Sequence, residues 1–347
     1  MLKKVTIFSI FTVIIVSISA IAWSYFFVDK TQAQNNYNAG EIVWGVDFSQ
    51  SQSEFLGLNW KENYLAIIKD LGAKNIKLHT QWDLVETENG SYNFDDIDWQ
   101  IKQAEENNVK IIFVVGIKTG RWPECHEPKW AHNLSTEEQK ERLLKFVEET
   151  VLRYRYTKAI TSWQVENEPL FGFGECPNWY YKSNELLKSE VKLVKSLDFL
   201  KPVIISDSGE QSNWSDVAKV GDIVGITMYR NAWTNITDTF GFNSYSFLKP
   251  SVYAKKVATI KEKYNKDVIC IELQAEPWAS KSLVEAPLEE QAKSMNLDMF
   301  KENIEFAKQT GLKQFYFWGA EWWYWMKSTQ NQPEIWNEAQ NLFSQVY

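Results

Sequence analysis

From residue 41 onward, short apolar runs alternate with longer amphipathic stretches. The runs are EIVWGVDF (41–48), NIKLHT (75–80), VKIIFVVGI (109–117), AITSWQVE (159–166), PVIIS (202–206), DIVGITMY (222–229), DVICIEL (267–273) and KQFYFWG (313–319). Near-continuous Val, Ile and Phe at this length predicts strands buried on both faces, as in a parallel sheet. The stretches between them carry helical periodicity. WKENYLAIIKDLG closes on Gly72, a suitable C-cap, and STEEQKERLLKFVEETVLRYRY opens with the capping-box pattern of Ser135 and Glu138. DDIDWQIKQAEENN, YKSNELLKSEVKLVKSL, SVYAKKVATIKEKY, EEQAKSMNLDMFKENIEFAKQTG and EIWNEAQNLFSQ continue the series. Eight strand-like runs alternating with helices predict an α/β chain folded as a (β/α)8 TIM barrel over residues 41–347. A doubly wound open sheet is the alternative. Against it, WGVDFSQSQSEFLG after the first run lacks the glycine-rich dinucleotide fingerprint.

Ahead of the barrel the pattern changes. Residues 5–28 carry no charge and follow Lys3 and Lys4. As a helix they would span about 36 Å, against a bilayer core of about 30 Å. The leading lysines orient such a segment with its N-terminus inside. A cleaved signal peptide is the rival reading, because Ala20-Ile21-Ala22 resembles a small-x-small cleavage site. The expected organisation is therefore an anchor or signal at 1–30, a polar linker at 31–40, and one catalytic domain at 41–347, placed outside the cytoplasm. The membrane is a partner through residues 5–28 if the segment stays uncleaved.

Composition adds three constraints. Apolar residues make up 44% of the chain, enough for a sizeable core. The net charge of −8 and the scatter of basic residues argue against a nucleic-acid partner. Seventeen Trp, beside 15 Tyr and 20 Phe, exceed what core packing requires, and aromatic faces also suit the C–H faces of sugars. Outside the cytoplasm a disulfide is permitted. Cys125 and Cys176 lie in Pro-flanked, loop-like stretches and are the expected pair, with Cys270 a buried free thiol inside an apolar run.

The chemistry is carried by ITSWQVENEPLFG (160–172), where an apolar strand gives out in Glu166-Asn167-Glu168-Pro169. Acidic side chains are rarely buried without partners. In a barrel, however, the C-terminal strand ends line the active site, so these groups would face a pocket. The seventh run ends likewise, with Glu272 after Val268-Ile269-Cys270-Ile271. Two carboxylates across one rim are what glycoside hydrolysis needs: one protonates the leaving oxygen, the other attacks the anomeric carbon or activates water.

WQVENEP and ICIEL, at strands four and seven of eight, resemble the signatures of the retaining glycoside-hydrolase superfamily called clan A, which includes cellulases, xylanases, mannanases and β-galactosidases. The resemblance covers residues 41–347 and implies a (β/α)8 barrel, double displacement at a β-glycosidic bond, and no cofactor or metal. It assigns Glu168 as acid/base, Asn167 as a sugar 2-OH contact and Glu272 as nucleophile. WDLVETENGSYNFDDID (82–98) is similar to the segment after strand two in many members. Tyr229 resembles the tyrosine that hydrogen-bonds the nucleophile, and Trp318 the tryptophan that floors the central sugar subsite, with GAEWWYW extending it. Where many members have an arginine at the end of strand two, this chain has Lys77 and His79. His79 is taken as the pocket residue.

Rival assignments remain at this stage. Glu276, in LQAEPW, competes with Glu272 as nucleophile and is otherwise a substrate contact. Glu166 competes with Glu168, since period-two alternation puts both on one side. CHEPKWAH (125–132) lacks the i,i+4 histidine spacing of a zinc protease and reads as a rim loop whose Trp122 touches sugar. A catalytically inactive carbohydrate-binding barrel is the alternative function. The expected partner is an oligo- or polysaccharide in an open cleft, with the sugar, its linkage and the oligomeric state unread.

Overall fold

The computed structural model describes residues 42–180, 184–233 and 242–344. The predicted anchor or signal segment and the linker lie outside these residues. All eight predicted strands form: β1 Val43–Phe48, β2 Asn75–His79, β3 Lys110–Val115, β4 Ile160–Val165, β5 Val203–Asp207, β6 Ile223–Met228, β7 Asp267–Gln274 and β8 Gln314–Trp318. They pair in parallel, in the order β1-β8-β7-β6-β5-β4-β3-β2, and β1 pairs with both β2 and β8. The sheet is thus closed, and the open doubly wound alternative is excluded.

Alternation along each strand sorts the side chains into two sets. Trp44, Val46 and Phe48 of β1, Phe113 and Val115 of β3, Trp163 and Val165 of β4, and Phe315 and Phe317 of β8 join the core shared with the surrounding helices. Ile112, Ile204, Ile269, Ile271 and Tyr316 form a separate apolar cluster inside the barrel. Gly45 makes room for it, since a Cβ there would lie 2.7 Å from the Asn75 carbonyl oxygen and from the Tyr316 ring. Further toward the C-terminal ends, the buried positions become polar: Asp47, Lys77, Gln164, Ser206, Thr227 and Glu272. An apolar plug therefore seals the barrel below a polar mouth.

The helix Thr136–Tyr154 begins as predicted, with Ser135 and Glu138 completing a capping box. The helix expected over 289–311 is broken into Leu288–Gln291 and Leu297–Lys308. Asn296 causes the break: its side chain accepts the Met299 N–H at 3.0 Å and starts a new helix. GAEWWYW does not extend a sugar platform. It forms the helix Ala320–Ser328, in which Trp322 and Trp323 are buried and donate to Gln291 Oε1 and the Ala275 carbonyl, each at 2.8 Å. A short hairpin, Asn231–Trp233 with Phe242–Ser244, follows β6 and was not expected. Cys125 and Cys176 form a disulfide that ties the loop after β3 to the loop after β4, while Cys270 is free and buried.

Candidate active site

At the end of β4 the alternation fails, and that failure builds the site. Glu166 and Glu168 both adopt left-handed backbone angles, with φ of 59° and 45°. Glu166 consequently turns away from the mouth. Its carboxylate accepts the backbone N–H groups of Ile117 at 2.9 Å and Lys118 at 2.6 Å, and the Tyr180 hydroxyl at 3.1 Å. Gly116, at φ 132°, is required there, because a Cβ would meet Glu166 Oε1 at 2.3 Å. Burial pushes the Glu166 carboxyl above its usual range, and Glu190 beside it is raised by burial and by the charge of Glu166. Glu166 therefore clamps the end of β3 to the end of β4. Alternation placed it beside Glu168, and the positive φ angles overturn that expectation.

Glu168 faces the mouth. Its backbone N–H donates to Ser206 Oγ and its Oε1 accepts the Thr227 hydroxyl, both at 2.8 Å. Lys118 Nζ holds the turn by donating to the carbonyls of Glu168 at 3.1 Å and Phe171 at 2.9 Å. Burial, and next the negative charge of Glu272, push the Glu168 carboxyl up to about 8.

On β7 a bulge replaces the turn. Ile226 pairs with Cys270 but Thr227 with Glu272, so β7 carries one extra residue. The β8 side shows the same shift, with Phe315 opposite Cys270 and Phe317 opposite Leu273. Cys270 and Leu273 remain in the outer core and Ile271 in the interior plug. The bulge thus turns Glu272 into the mouth, a re-aiming that bulges commonly provide.

Two donors converge on Glu272: Lys77 Nζ on Oε1 and the Tyr229 hydroxyl on Oε2, each at 2.8 Å. Lys77 also donates to Asp47 Oδ2 at 2.8 Å, and the other Asp47 oxygen meets His79 Nε2. His79 Nδ1 faces the Thr119 carbonyl. Burial alone would depress the Lys77 ammonium, but Asp47 and Glu272 outweigh it and hold its pKa up. Burial opposes ionisation of Asp47 as well, yet His79 and Lys77 keep its carboxyl far below the usual range. His79, the expected pocket residue, lies at the mouth but is linked to Glu272 only through Asp47 and Lys77. Lys77, passed over in the sequence reading, makes the direct contact.

The remaining candidates divide. Asn167 is buried beside them, with its Oδ1 accepting from Gln164 Nε2 at 3.2 Å. Trp318 is half-buried at the end of β8, with the Tyr229 ring edge-on at 5.5 Å and Trp278 at 6.0 Å. Trp122 stands on the rim, 63% exposed, and touches Phe173, which in turn packs on Trp278. Glu276 is an ion-pair partner of Arg121 and is not disposed as a rival to Glu272. Arg121, Glu124, Asp47, Phe173 and Trp278 were all missed. Glu124 is buried in the same loop as Arg121, raised by burial against the pull of Lys118, and within range of the charge of Glu272. A signal for both existed in GRWPEC, where only Trp122 and Cys125 were singled out. Of the histidines in CHEPKWAH, His126 lies near Gln81 and His132 near Glu127. Among the described residues no cluster of His, Cys, Asp or Glu is arranged to hold a metal ion.

The model for glycosyl hydrolase family 10 matches residues 38–189, the part that carries β1 to β4 and Glu168. Xylanase 10B from Thermotoga petrophila RKU-1, solved with xylobiose, superposes with a TM-score of 0.57 at 16% identity, over 88% of this chain and 95% of its own. A β-glucosidase from Exiguobacterium marinum gives 0.54 at 13% identity, over 80% and 88%. A β-galactosidase from Rahnella sp. R3 gives 0.55 at 13% identity, over 90% of this chain and 56% of its own. No curated protein matches the chain by sequence.

Proposed function

We propose that this chain is a glycoside hydrolase of clan A, in keeping with its partial family match and its barrel likeness, and that it acts as a retaining β-glycosidase with Glu272 as nucleophile and Glu168 as acid/base. The observation that carries the assignment is the contrast between the two carboxylates. Glu272 receives one hydrogen bond from an ammonium and another from a phenol. Glu168 has a single hydroxyl partner on its carboxyl, and burial keeps it protonated near neutral pH. Environments that separate two carboxyl groups in this way set acid and base roles.

The steps follow. A Glu272 oxygen attacks the anomeric carbon while the glycosidic oxygen takes the proton of Glu168, leaving a glycosyl ester on Glu272 and a carboxylate on Glu168. Esterification removes the charge of Glu272, which had raised Glu168. Glu168 then takes a proton from water, the water oxygen bonds to the anomeric carbon, and Glu272 leaves as carboxylate. In this reading Asn167 binds the sugar 2-OH and Trp318 floors the ring. The substrate class is a β-linked oligo- or polysaccharide, in keeping with what the similar barrels act on. An extracytoplasmic location belongs to the same proposal, supported by the Cys125–Cys176 disulfide and the uncharged run after Lys3 and Lys4.

Hydrolysis of a panel of aryl β-glycosides and β-linked polysaccharides tests this reading. Glu272→Ala should be inactive on the sugar that the wild type cleaves, and azide should restore turnover with an α-glycosyl azide as product. A β-glycosyl azide from that variant would refute the nucleophile assignment.

A further inference from the structure

In the barrel order, three strands separate β3 from β7 in either direction, so the two stand opposite each other. An ion pair between the loops that follow them crosses the mouth. Arg121, in the loop after β3, makes that crossing. Its Nη1 pairs with Glu276, just past the end of β7, and its Nη2 lies 3.0 Å from Glu321 Oε2, in the first turn of the helix after β8. The other Glu321 oxygen accepts the backbone N–H of Ser49, after β1. The guanidinium also lies 4.2 Å over the Trp318 ring. One side chain therefore links the loops after β1, β3, β7 and β8, and its ion pairs are nearly dry, with exposures of 6% for Arg121, 3% for Glu276 and 0% for Glu321.

The acid stands on the other side of this bridge. Glu168 ends β4 and is held by Ser206 of β5 and Thr227 of β6. A leaving group must depart where its oxygen is protonated, so the departing sugar lies over the β4–β6 half. Sugars on the nucleophile-retained side would extend over β8, β1 and β2, and there the Arg121 bridge stands. Among the described residues, two polar atoms of the bridge, Glu276 Oε2 and Arg121 Nε, are buried without a hydrogen-bond partner. Buried polar groups are seldom left so, which marks the bridge as a position held for more than stability. Arg121 itself holds a left-handed φ of 67°, the kind of strain that persists at functional positions.

Resting on the glycosidase reading above, we infer that Arg121 with Glu276 and Glu321 closes the retained side of the site after a single sugar, so that the enzyme removes monosaccharides from non-reducing ends. This replaces the open cleft expected from the aromatic content.

The test compares a 4-nitrophenyl β-monoglycoside with the matching β-bioside, using the sugar identified by the panel and chromatography of the first products. The wild-type protein should release nitrophenol directly from the monoglycoside. From the bioside it should first release the terminal monosaccharide, with direct release of the intact disaccharide slower by about a hundredfold or more, since a second ring would have to break a buried ion pair. Intact disaccharide as a first product at a comparable rate would overturn the inference. A second sugar would then lie in the cavity of about 240 Å3 lined by Ser49, His79, Gln81 and Asn93. Absence of turnover on any β-glycoside would instead defeat the glycosidase mechanism, and this inference with it. Arg121→Ala, checked for folding by circular dichroism, should shift the product ratio toward intact disaccharide. An unchanged ratio in a folded variant counts against Arg121 as the barrier. The wild-type product order decides the main point whether or not that variant folds.

Discussion

Lys77 Nζ lies 2.8 Å from Glu272 Oε1 and the same distance from Asp47 Oδ2, fully buried between the two carboxylates. One cation thus neutralises two buried carboxylates at once. Lys77→Met should leave both carboxylates without that charge. The expected cost in folding stability is about 3–5 kcal/mol, the usual result of removing one partner from a buried pair. Activity should fall as well, because Lys77 donates directly to Glu272 Oε1. Urea denaturation and an assay of any residual activity check the two effects, and Lys77→Arg should recover part of the stability.

Tyr229→Phe isolates the second donor to Glu272. The hydroxyl lies 2.8 Å from Oε2 on a half-buried ring, so its loss leaves packing intact. A hydrogen bond to a charged group contributes about 1.5–3 kcal/mol. The value of kcat/KM should therefore fall by roughly 10- to 100-fold, and the denaturation midpoint should drop because the fold loses the same bond. A variant as active as wild type would remove Tyr229 from the site.

The Glu168 carboxyl, pushed up to about 8, predicts the basic limb of the profile. Burial and the charge of Glu272 disfavour its ionised form, so the acid persists to about that pH and activity falls as pH rises through it. Replacing Glu272 by Gln removes a negative neighbour and should lower the Glu168 pKa, which carbon-13 NMR of labelled glutamate can follow. A pKa that rises in Glu272→Gln would contradict the assignment of cause.

Glu168→Ala should slow hydrolysis of substrates with poor leaving groups by about 10²- to 10⁴-fold, the range for general acid catalysis. Aryl glycosides with acidic phenols need no proton in the first step, so their glycosyl-enzyme should still form and accumulate. Added azide should then speed turnover and yield a β-glycosyl azide. Equal loss on good and poor leaving groups would argue against an acid role.

Gly116→Ala tests the clamp formed by Glu166. A Cβ would meet its carboxylate at 2.3 Å, and φ of 132° is strained for any side chain. The expected destabilisation is about 1–3 kcal/mol, with loss of activity because the end of β4 shifts. Gly172→Ala is the control, since nothing lies within 4 Å of its added Cβ. That change should stay within about 0.5 kcal/mol.

Much of the architecture was legible in the chain alone. Strand-length Val, Ile and Phe runs between amphipathic helices led to eight strands, and the strands formed where the runs lay, because burial on both faces leaves a continuous apolar signal. The capping box at Ser135 was equally local, resting on residues three apart. The carboxylates Glu168 and Glu272 stood out because acidic groups ending apolar strands need a reason. Their aim was another matter. Positive φ at Glu166 and Glu168, and an extra residue in β7 before Glu272, break the two-residue period on which sequence reading depends. Those irregularities exist only in register with neighbouring strands, so no single stretch announces them. The same holds for Lys77, whose sequence neighbours are apolar and whose partners, Asp47 and Glu272, are 30 and 195 positions away. It holds again for Arg121, which meets Glu276 and Glu321 only because barrel closure sets β3 across from β7 and brings β8 beside β1. Periodicity and residue chemistry determined the barrel and its two acids. Long-range pairing decided which way each acid points, what holds its charge, and where the mouth is closed.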